Sequence, residues 1–378
     1  MMKPWRVIYW PEASPMDYIV TRPLVNDLRA EGKIPDTLLI YSVNRNFVAV
    51  GRHINVDDDI DIEACRRLGV ELFRKIGGGG SGIWGPNSFQ FAFAFGQNIF
   101  PNMEEALRVI CDDVLLRAIR RMGVTKAYYK HIGDLLVGTR KLAALAALPH
   151  GNACVNMGGF LNIEDLDISI ASAAMKTPEE KFSDKAAKDI RDYATSLQRE
   201  TGREIPRKPC AEAIVEELER ALCTKAEFAK LSEFEMGLYN DYRERYASEK
   251  WTFAKSDLRR FASIPEGYAL AFSRHKARKL VCAHILVNRD GRIVDVMLSG
   301  DYFITPSDGD DRIASDLVGL DAMDIEAINR RIRGVAATIG FEAMMMDIED
   351  FSIPVIEACR KAIEKMSLHK RSNLDGKN

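Results

Sequence analysis

The 378-residue sequence lacks an excess of either charge: 53 basic residues face 55 acidic ones. No global positive field exists to hold a polyanion, which argues against sequence-blind nucleic-acid binding. A long apolar run is missing too, since nothing in the chain approaches the ~18 residues that a membrane span needs. The opening stretch, MMKPWRVIYWPEASPMD, meets a proline and acidic residues before a secretory-type apolar segment develops. No membrane partner is expected, and residence in the cytoplasm is. Paired cysteines are also wanting. The seven, at 65, 111, 154, 210, 223, 282 and 359, are odd in number and scattered without a C-x-x-C spacing. That pattern excludes a disulfide framework, disfavours a zinc ribbon, and reads as reduced, mostly buried thiols.

What is present is the balance of a globular protein, 47% hydrophobic and 29% charged. The length suits two domains, and a change of character near Trp251 suggests one over residues 1–247 and a smaller one over 248–378. Apolar spacing predicts a helix over Asp17 to Arg29, strands at TLLIYSV and NFVAVG, a short helix near Ile60 to Leu68 and a strand VELFRKI. SFQFAFAFG alternates large and small residues with period two, so it reads as a strand with one aromatic face. Asn102 is a candidate N-cap for a helix to Met122, and the strand-like DLLVGTRKLAALA and ACVNMGGFLNI follow. Charged helical stretches then run from Pro178 to Leu231. Near the C-terminus, Asp290-Gly291 marks a hairpin turn between apolar strands. Strands and helices do not alternate regularly. The expected class is α+β: a mixed, largely antiparallel sheet flanked by helices, with a smaller α+β domain.

Three stretches can carry chemistry. FRKIGGGGSGIWGPN (73–87) satisfies G-x-G-x-x-G formally, but a strand follows it where a dinucleotide fingerprint needs a helix, and Ile83 stands where a P-loop needs lysine. What remains is Arg74 and Lys75 beside Gly77, Gly78, Gly79 and Gly80, a combination suited to phosphate or carboxylate; the bland reading is a glycine-rich hairpin with incidental charge. GDLLVGTRKLAALA (133–146) brings Asp134 and the Arg140-Lys141 pair to one strand turn, where they can line a shared cleft. PHGNACVN carries His150, Gly151 and Cys154. A lone histidine before a strand is more often structural, and an apolar strand favours burial of Cys154 over nucleophilic use.

In order and spacing, these segments resemble the lipoate-protein ligase branch of the superfamily that includes octanoyltransferases and biotin ligases. The matching elements are VAVGRHIN (48–55), the basic-glycine loop (74–87), GDLLVGTRKLA around Lys141, HGNACVN (150–156) and the arginine-bearing AAKDIRDYATSL (186–197). WTFAKSD and DGRIVDVMLSGDYF are similar to the accessory domain of bacterial ligases. The resemblance implies a biotin/lipoate ligase-like catalytic domain, with ATP and Mg²⁺ used to activate lipoic acid to lipoyl-AMP. Transfer to a lysine of a lipoyl-acceptor protein follows: a dehydrogenase E2 lipoyl domain, a glycine-cleavage H-like protein or a related carrier. It implies Lys141 as the catalytic cation, with Arg74, Gly77, Gly78, Gly79, Gly80, Asn87, Asp134, His150 and Gly151 binding substrate or nucleotide and Asp134 a candidate Mg²⁺ ligand. Phe89, Phe91, Phe93 and Phe95 would either wall the acyl slot or fill the sheet core.

The sequence departs from the family where ligases place a His-Asp pair after the glycines; Ile83, Trp84, Gly85 and Pro86 stand there, and the Gly-Pro matches the octanoyltransferase version. Two other activities therefore compete: an octanoyl or lipoyl transferase that works without ATP through a thiolate, and an acyl- or adenylate-binding regulator that has lost turnover. The transferase needs a cysteine shortly before Asp134, where TKAYYKHIG has none.

Overall fold

The computed structural model describes residues 3–176 and 193–375. The chain divides into two compact units, and the division is not a single cut. One unit comprises Met1–Val50, Asp59–Gly77 and Gly82–Thr252; the other comprises Gly51–Asp58, Gly78–Ser81 and Phe253–Asn378.

The first unit is built on an eight-stranded mixed sheet. Its strands are β1 (Trp5–Ala13), β2 (Thr37–Val43), β6 (Ser88–Gly96), β7 (Tyr128–Lys130), β8 (Asp134–Val137), β9 (Arg140–His150), β10 (Cys154–Asn162) and β11 (Ala226–Phe228). They lie in the order β11-β1-β2-β6-β10-β9-β8-β7. β1 pairs parallel with β2 and with β11, and the remaining pairs are antiparallel. A second small sheet holds β3 (Phe47–Val50) between β4 (Glu71–Arg74) and β5 (Gly82–Trp84). Because β4 and β5 pair on opposite edges of β3, the glycine segment carries the chain across β3 and closes no hairpin.

Period-two alternation settles which face of β6 is which. Phe89, Phe91, Phe93 and Phe95 are buried to 1% exposure or less in one cluster. They pack with α3, which begins at Met103–Arg108 and continues through a π-helical Val109–Leu116 to Arg117–Arg121, and with α4 (Arg207–Leu222). Each such ring contributes roughly 1.5–3 kcal/mol of burial energy. These phenylalanines are sheet core, and the acyl-wall alternative falls. Asn102 caps α3 as expected, its Oδ1 accepting from Glu105 N at 2.8 Å.

The opposite face is smallest at its central rung. Cross-strand partners share a face, so the pairs Ala94–Asn156–Leu148, Ala92–Gly158–Ala146 and Gln90–Phe160–Ala144 form three rungs there. α1 (Pro15–Ala30) packs on this face over β6 and β10. Its start is fixed by a capping box between Ser14 and Asp17 and by Pro15 in the first turn. α2 (Ile62–Leu68) is capped by Asp61 and stops at Gly69. α5 (Glu233–Tyr246) completes the unit, tied to β1 by a bidentate Arg6–Glu235 pair at 2.8 Å. Of the arginine-bearing segment expected at 186–197, residues 186–192 lie outside the described residues.

The second unit carries an antiparallel sheet of β12 (Ala269–Lys276), β13 (Leu280–Val287) and β14 (Ile293–Gly300), with β13 central. Asp290-Gly291 forms the predicted turn, Gly291 taking φ +78° and donating to Asn288 O. α6 (Gly309–Asp316), α7 (Ile325–Ile339) and α8 (Glu349–Asp375) pack with the sheet around Val281, Ile285, Ile313, Ile328 and Val355. The short stretches Gly51–Asp58 and Gly78–Ser81 belong here. His53 contacts Asp310 at 3.0 Å, Lys255 reaches the same carboxylate at 3.0 Å, and Tyr302 donates to it at 2.9 Å. No helix among the described residues is long and apolar enough to cross a membrane.

Candidate active site

Lys141 is the second residue of β9, one hairpin turn after Asp134 begins β8. Gly138, at φ +58°, supplies the left-handed residue of the two-residue connection between these strands. The Lys141 ammonium sits 2.9 Å from Asp134 Oδ1, with side chains 20% and 30% exposed. The Tyr193 ring centroid lies 5.5 Å from it. Burial alone would lower the pKa of Lys141, but Asp134 and then Tyr193 outweigh it and raise the value above that of free lysine. The result is a half-enclosed, permanently charged ammonium with a fixed direction. Asp134 stands opposite Ala144, so the pair serves the small-residue face of the sheet.

Asn87 lies at the same end. Its carbonyl accepts from Ile163 N and Glu164 N at 2.9 Å, and its Nδ2 is buried with no hydrogen-bond partner among the described residues. An orphaned buried donor there is available to a ligand oxygen.

Arg22, which no motif pointed to, projects from α1 onto the same face and is 7% exposed. Its Nε and Nη2 donate to Asn156 Oδ1 at 3.1 and 2.9 Å, and its Nη1 donates to Tyr18 Oη at 3.2 Å. A Cβ on Gly158 would meet the guanidinium at 2.4 Å, and one on Gly77 would come within 3.5 Å of Nη2. Glycine at 158 is what lets the arginine lie flat on β10. The available signal was helical spacing: Tyr18, Arg22 and Asn26 fall four apart among the buried Ile19, Val25 and Leu28.

Other expected residues sit elsewhere. Arg74 is fully buried, and its Nε donates to the carbonyls of Trp251 and Thr252, so it ties β4 to that turn and presents no open cation. Gly78 and Gly79 pack in the second unit: Gly79 N donates to Tyr302 O at 3.2 Å, and a Cβ on Gly79 would stand 2.6 Å from the Phe303 ring. Gly80, also of that unit, has open space where a Cβ would go. His150 and Gly151 are not brought to Lys141. They form the β9–β10 hairpin tip, about 30 Å along β9 from it at ~3.3 Å per residue. There His150 pairs with Asp27 at 2.5 Å, and Tyr242 donates to the other oxygen at 2.6 Å. Burial would raise the Asp27 pKa, and those two bonds more than reverse it.

A divalent ion does not fit Asp134 as placed. Its carboxylate is engaged by Lys141, and no cluster of three His, Cys, Asp or Glu among the described residues could hold a metal. Six cysteines are buried and only Cys223 is exposed. Cys154 points at Asn26 Oδ1 at 3.7 Å, and burial pushes its thiol up to about 12. Cys111, whose Sγ lies 3.8 Å from Gly133 O, is likewise raised by burial.

Residues 20–219 match the family model of the lipoyl protein ligase A/B catalytic domain, which is more than half of the chain. The chain belongs to the lipoyl protein ligase A/B family. Within that family it is similar to octanoyltransferase LipM of Geobacillus kaustophilus, 23% identical over 278 residues, covering 66% of this chain and 98% of that protein. It is also similar to lipoate-protein ligase LplJ of Bacillus subtilis, 20% identical, covering 70% of this chain and 76% of that protein. Among solved structures, LipL1 of P. falciparum in complex with lipoate aligns with a TM-score of 0.64 at 12% identity, covering 89% of this chain and 99% of that one. The bi-partite lipoate protein ligase of Thermoplasma acidophilum, solved in a study that included its E2 lipoyl domain, aligns with a TM-score of 0.56 at 16% identity, covering 68% of this chain and 97% of that one. The fold is thus that of lipoate ligases, a mixed sheet flanked by helices with an additional C-terminal sheet-and-helix part. The protein is an enzyme of this ligase and octanoyltransferase family.

Proposed function

We propose that this family member is an ATP-dependent lipoate-protein ligase acting on lipoic acid or an acid of similar length. The acid's carboxylate oxygen attacks the α-phosphorus of ATP, the bond to pyrophosphate breaks, and acyl-AMP forms. The neutral amine of an acceptor lysine then attacks the acyl carbonyl and AMP leaves. The acceptor belongs to the lipoyl-domain class, an E2 lipoyl domain, an H-like protein or a related carrier.

The first step brings two anions together and the second grows negative charge on the acyl oxygen and the departing AMP, so the site needs a cation already in place. Lys141 supplies it, Asp134 holds its direction, and the Nδ2 of Asn87, at the same end of the sheet and without a partner among the described residues, is a donor for an oxygen of the acyl or phosphoryl group. The acyl chain lies along the half-buried Ala144 and Ala146 toward the buried Gly158. Nucleotide phosphates bring any Mg²⁺ with them, because Asp134 is already engaged.

One observation favours ATP over the thiolate route: every cysteine is either buried, as Cys154 and Cys111 are, or on the far helix end, as Cys223 is. A buried neutral thiol is a poor acyl acceptor. The second reading, octanoyl transfer through a cysteine, is favoured by the similarity to LipM along that protein's whole length. Acid-dependent exchange of pyrophosphate into ATP separates the two. The ligase reading expects exchange with lipoate or octanoate. Absence of exchange, together with an acyl-thioester trapped on Cys154, favours the transferase.

A further inference from the structure

Arg22 is the charge on the small-residue face that nothing balances. Lys141 has Asp134, whereas no carboxylate among the described residues pairs with Arg22. Of its five N–H groups, three are used by neutral oxygens of Asn156 and Tyr18, and the other two have no acceptor among the described residues. An arginine only 7% exposed and lacking a counter-ion among the described residues is costly unless a ligand supplies the negative charge.

Its position says which part of a ligand that is. The Arg22 guanidinium lies over Gly158, which pairs with Ala146, and the Lys141 ammonium lies at Asp134, which pairs with Ala144. Two strand spacings of ~4.8 Å across and two residues of ~3.4 Å along put the strand positions beside the two charges about 12 Å apart on one face. An extended eight-carbon chain, a zigzag of ~1.5 Å bonds each advancing roughly 1.25 Å, spans about 9 Å and is of the same scale. Between these positions on the sheet lie Ala144 and Ala146 of β9, with Phe160 flanking the path beside Gly158.

We infer that Arg22, fixed by Tyr18 and Asn156, binds a negatively charged oxygen at the far end of the acyl substrate, so that the enzyme favours acids carrying an anionic group at both ends over plain fatty acids of the same length. The inference rests on the reading that Lys141 marks the reacting end. Carboxylate on guanidinium is a charge-assisted pairing that a bare methyl end cannot make, and a methyl end would also leave the buried charge uncompensated.

The test is calorimetric titration of the full chain with octanedioate and with octanoate. The wild-type protein should bind octanedioate about 10-fold or more tightly than octanoate. Arg22→Met should erase that preference while leaving octanoate affinity within about 3-fold. Gly158→Ala, which keeps the arginine but drives its guanidinium off β10, should erase it too. Equal or tighter binding of octanoate by the wild-type protein overturns the inference, with no variant needed. So does an unchanged preference in either folded variant. If the wild-type protein binds neither acid, the inference falls together with the ligase reading. If it binds octanoate alone and supports pyrophosphate exchange, that reading stands and only the inference falls.

Discussion

Replacing Lys141 by methionine removes the ammonium but keeps most of the side-chain volume. Two effects follow, and they can be separated. Breaking a fully buried ion pair costs about 3–5 kcal/mol because the partner is left charged and alone. Here the two side chains are 20% and 30% exposed, so water recovers part of that and about 2 kcal/mol is the expected loss. In a unit of this size that lowers Tm by roughly 5 °C. The catalytic effect is larger: removal of one preorganised donor costs about 10²–10³ in rate, or ~2.7–4 kcal/mol of transition-state stabilisation. Adding Asp134→Asn to Lys141→Met removes the stranded carboxylate and should return most of the lost Tm without returning activity. The assay is acyl transfer to a lipoyl domain, read by intact mass, beside thermal melts of the three variants. A Lys141→Met protein that transfers at a near wild-type rate, or a double variant that regains activity with its stability, refutes the assignment.

Cys154→Ala should keep activity within about 2-fold, and iodoacetamide at pH 8 should label native protein at Cys223 alone, since burial holds Cys154 protonated to about 12; mass mapping reads both. Phe91→Ala should cost about 3–5 kcal/mol in denaturant unfolding while leaving the ranking of acyl substrates unchanged, because the ring is on the core face. Gly133→Ala should destabilise by about 1–3 kcal/mol, as it adopts φ +80° and a Cβ would meet Leu145 O at 2.1 Å. The second unit should lose stability as pH falls from 7 to 5. Burial holds His53 below its usual value despite Asp310, so its contribution is complete above the unfolded-state pKa of ~6.5 and is lost as pH drops below it. Asp310, which burial would raise but Lys255 and His53 hold low, acts in the same direction at still lower pH. Thermal melts across that range check the sign, and a Tm that rises on acidification contradicts it.

The sheet was readable in the sequence because its signal is local. SFQFAFAFG announces one large and one small face, and the structure puts the rings in the core and the alanines on the opposite face, under α1. Asp134 and Lys141 were readable for the same reason, since a short hairpin turn brings them together whatever surrounds it. His150 and Gly151 misled because a matching string of letters carries no register: the same strand that presents Lys141 at one end turns back at His150 at the other. The placement of Gly78 and Gly79 was not legible for another reason. That Gly78 and Gly79 pack against Tyr302 and Phe303 is a contact across more than 200 positions of chain, which no local pattern encodes. Arg22 lay in plain sight as a cation on the apolar stripe of an amphipathic helix, and a buried arginine of that kind merits the scrutiny usually given to motifs.

The most direct measurement is the intact mass of a lipoyl-acceptor domain after incubation with the protein and lipoate, with and without ATP. The account predicts a gain of one lipoyl group that requires ATP and falls by about 10² or more with Lys141→Met. No gain under any condition, or an ATP-independent gain from an octanoyl-carrier thioester that Cys154→Ala abolishes, contradicts it.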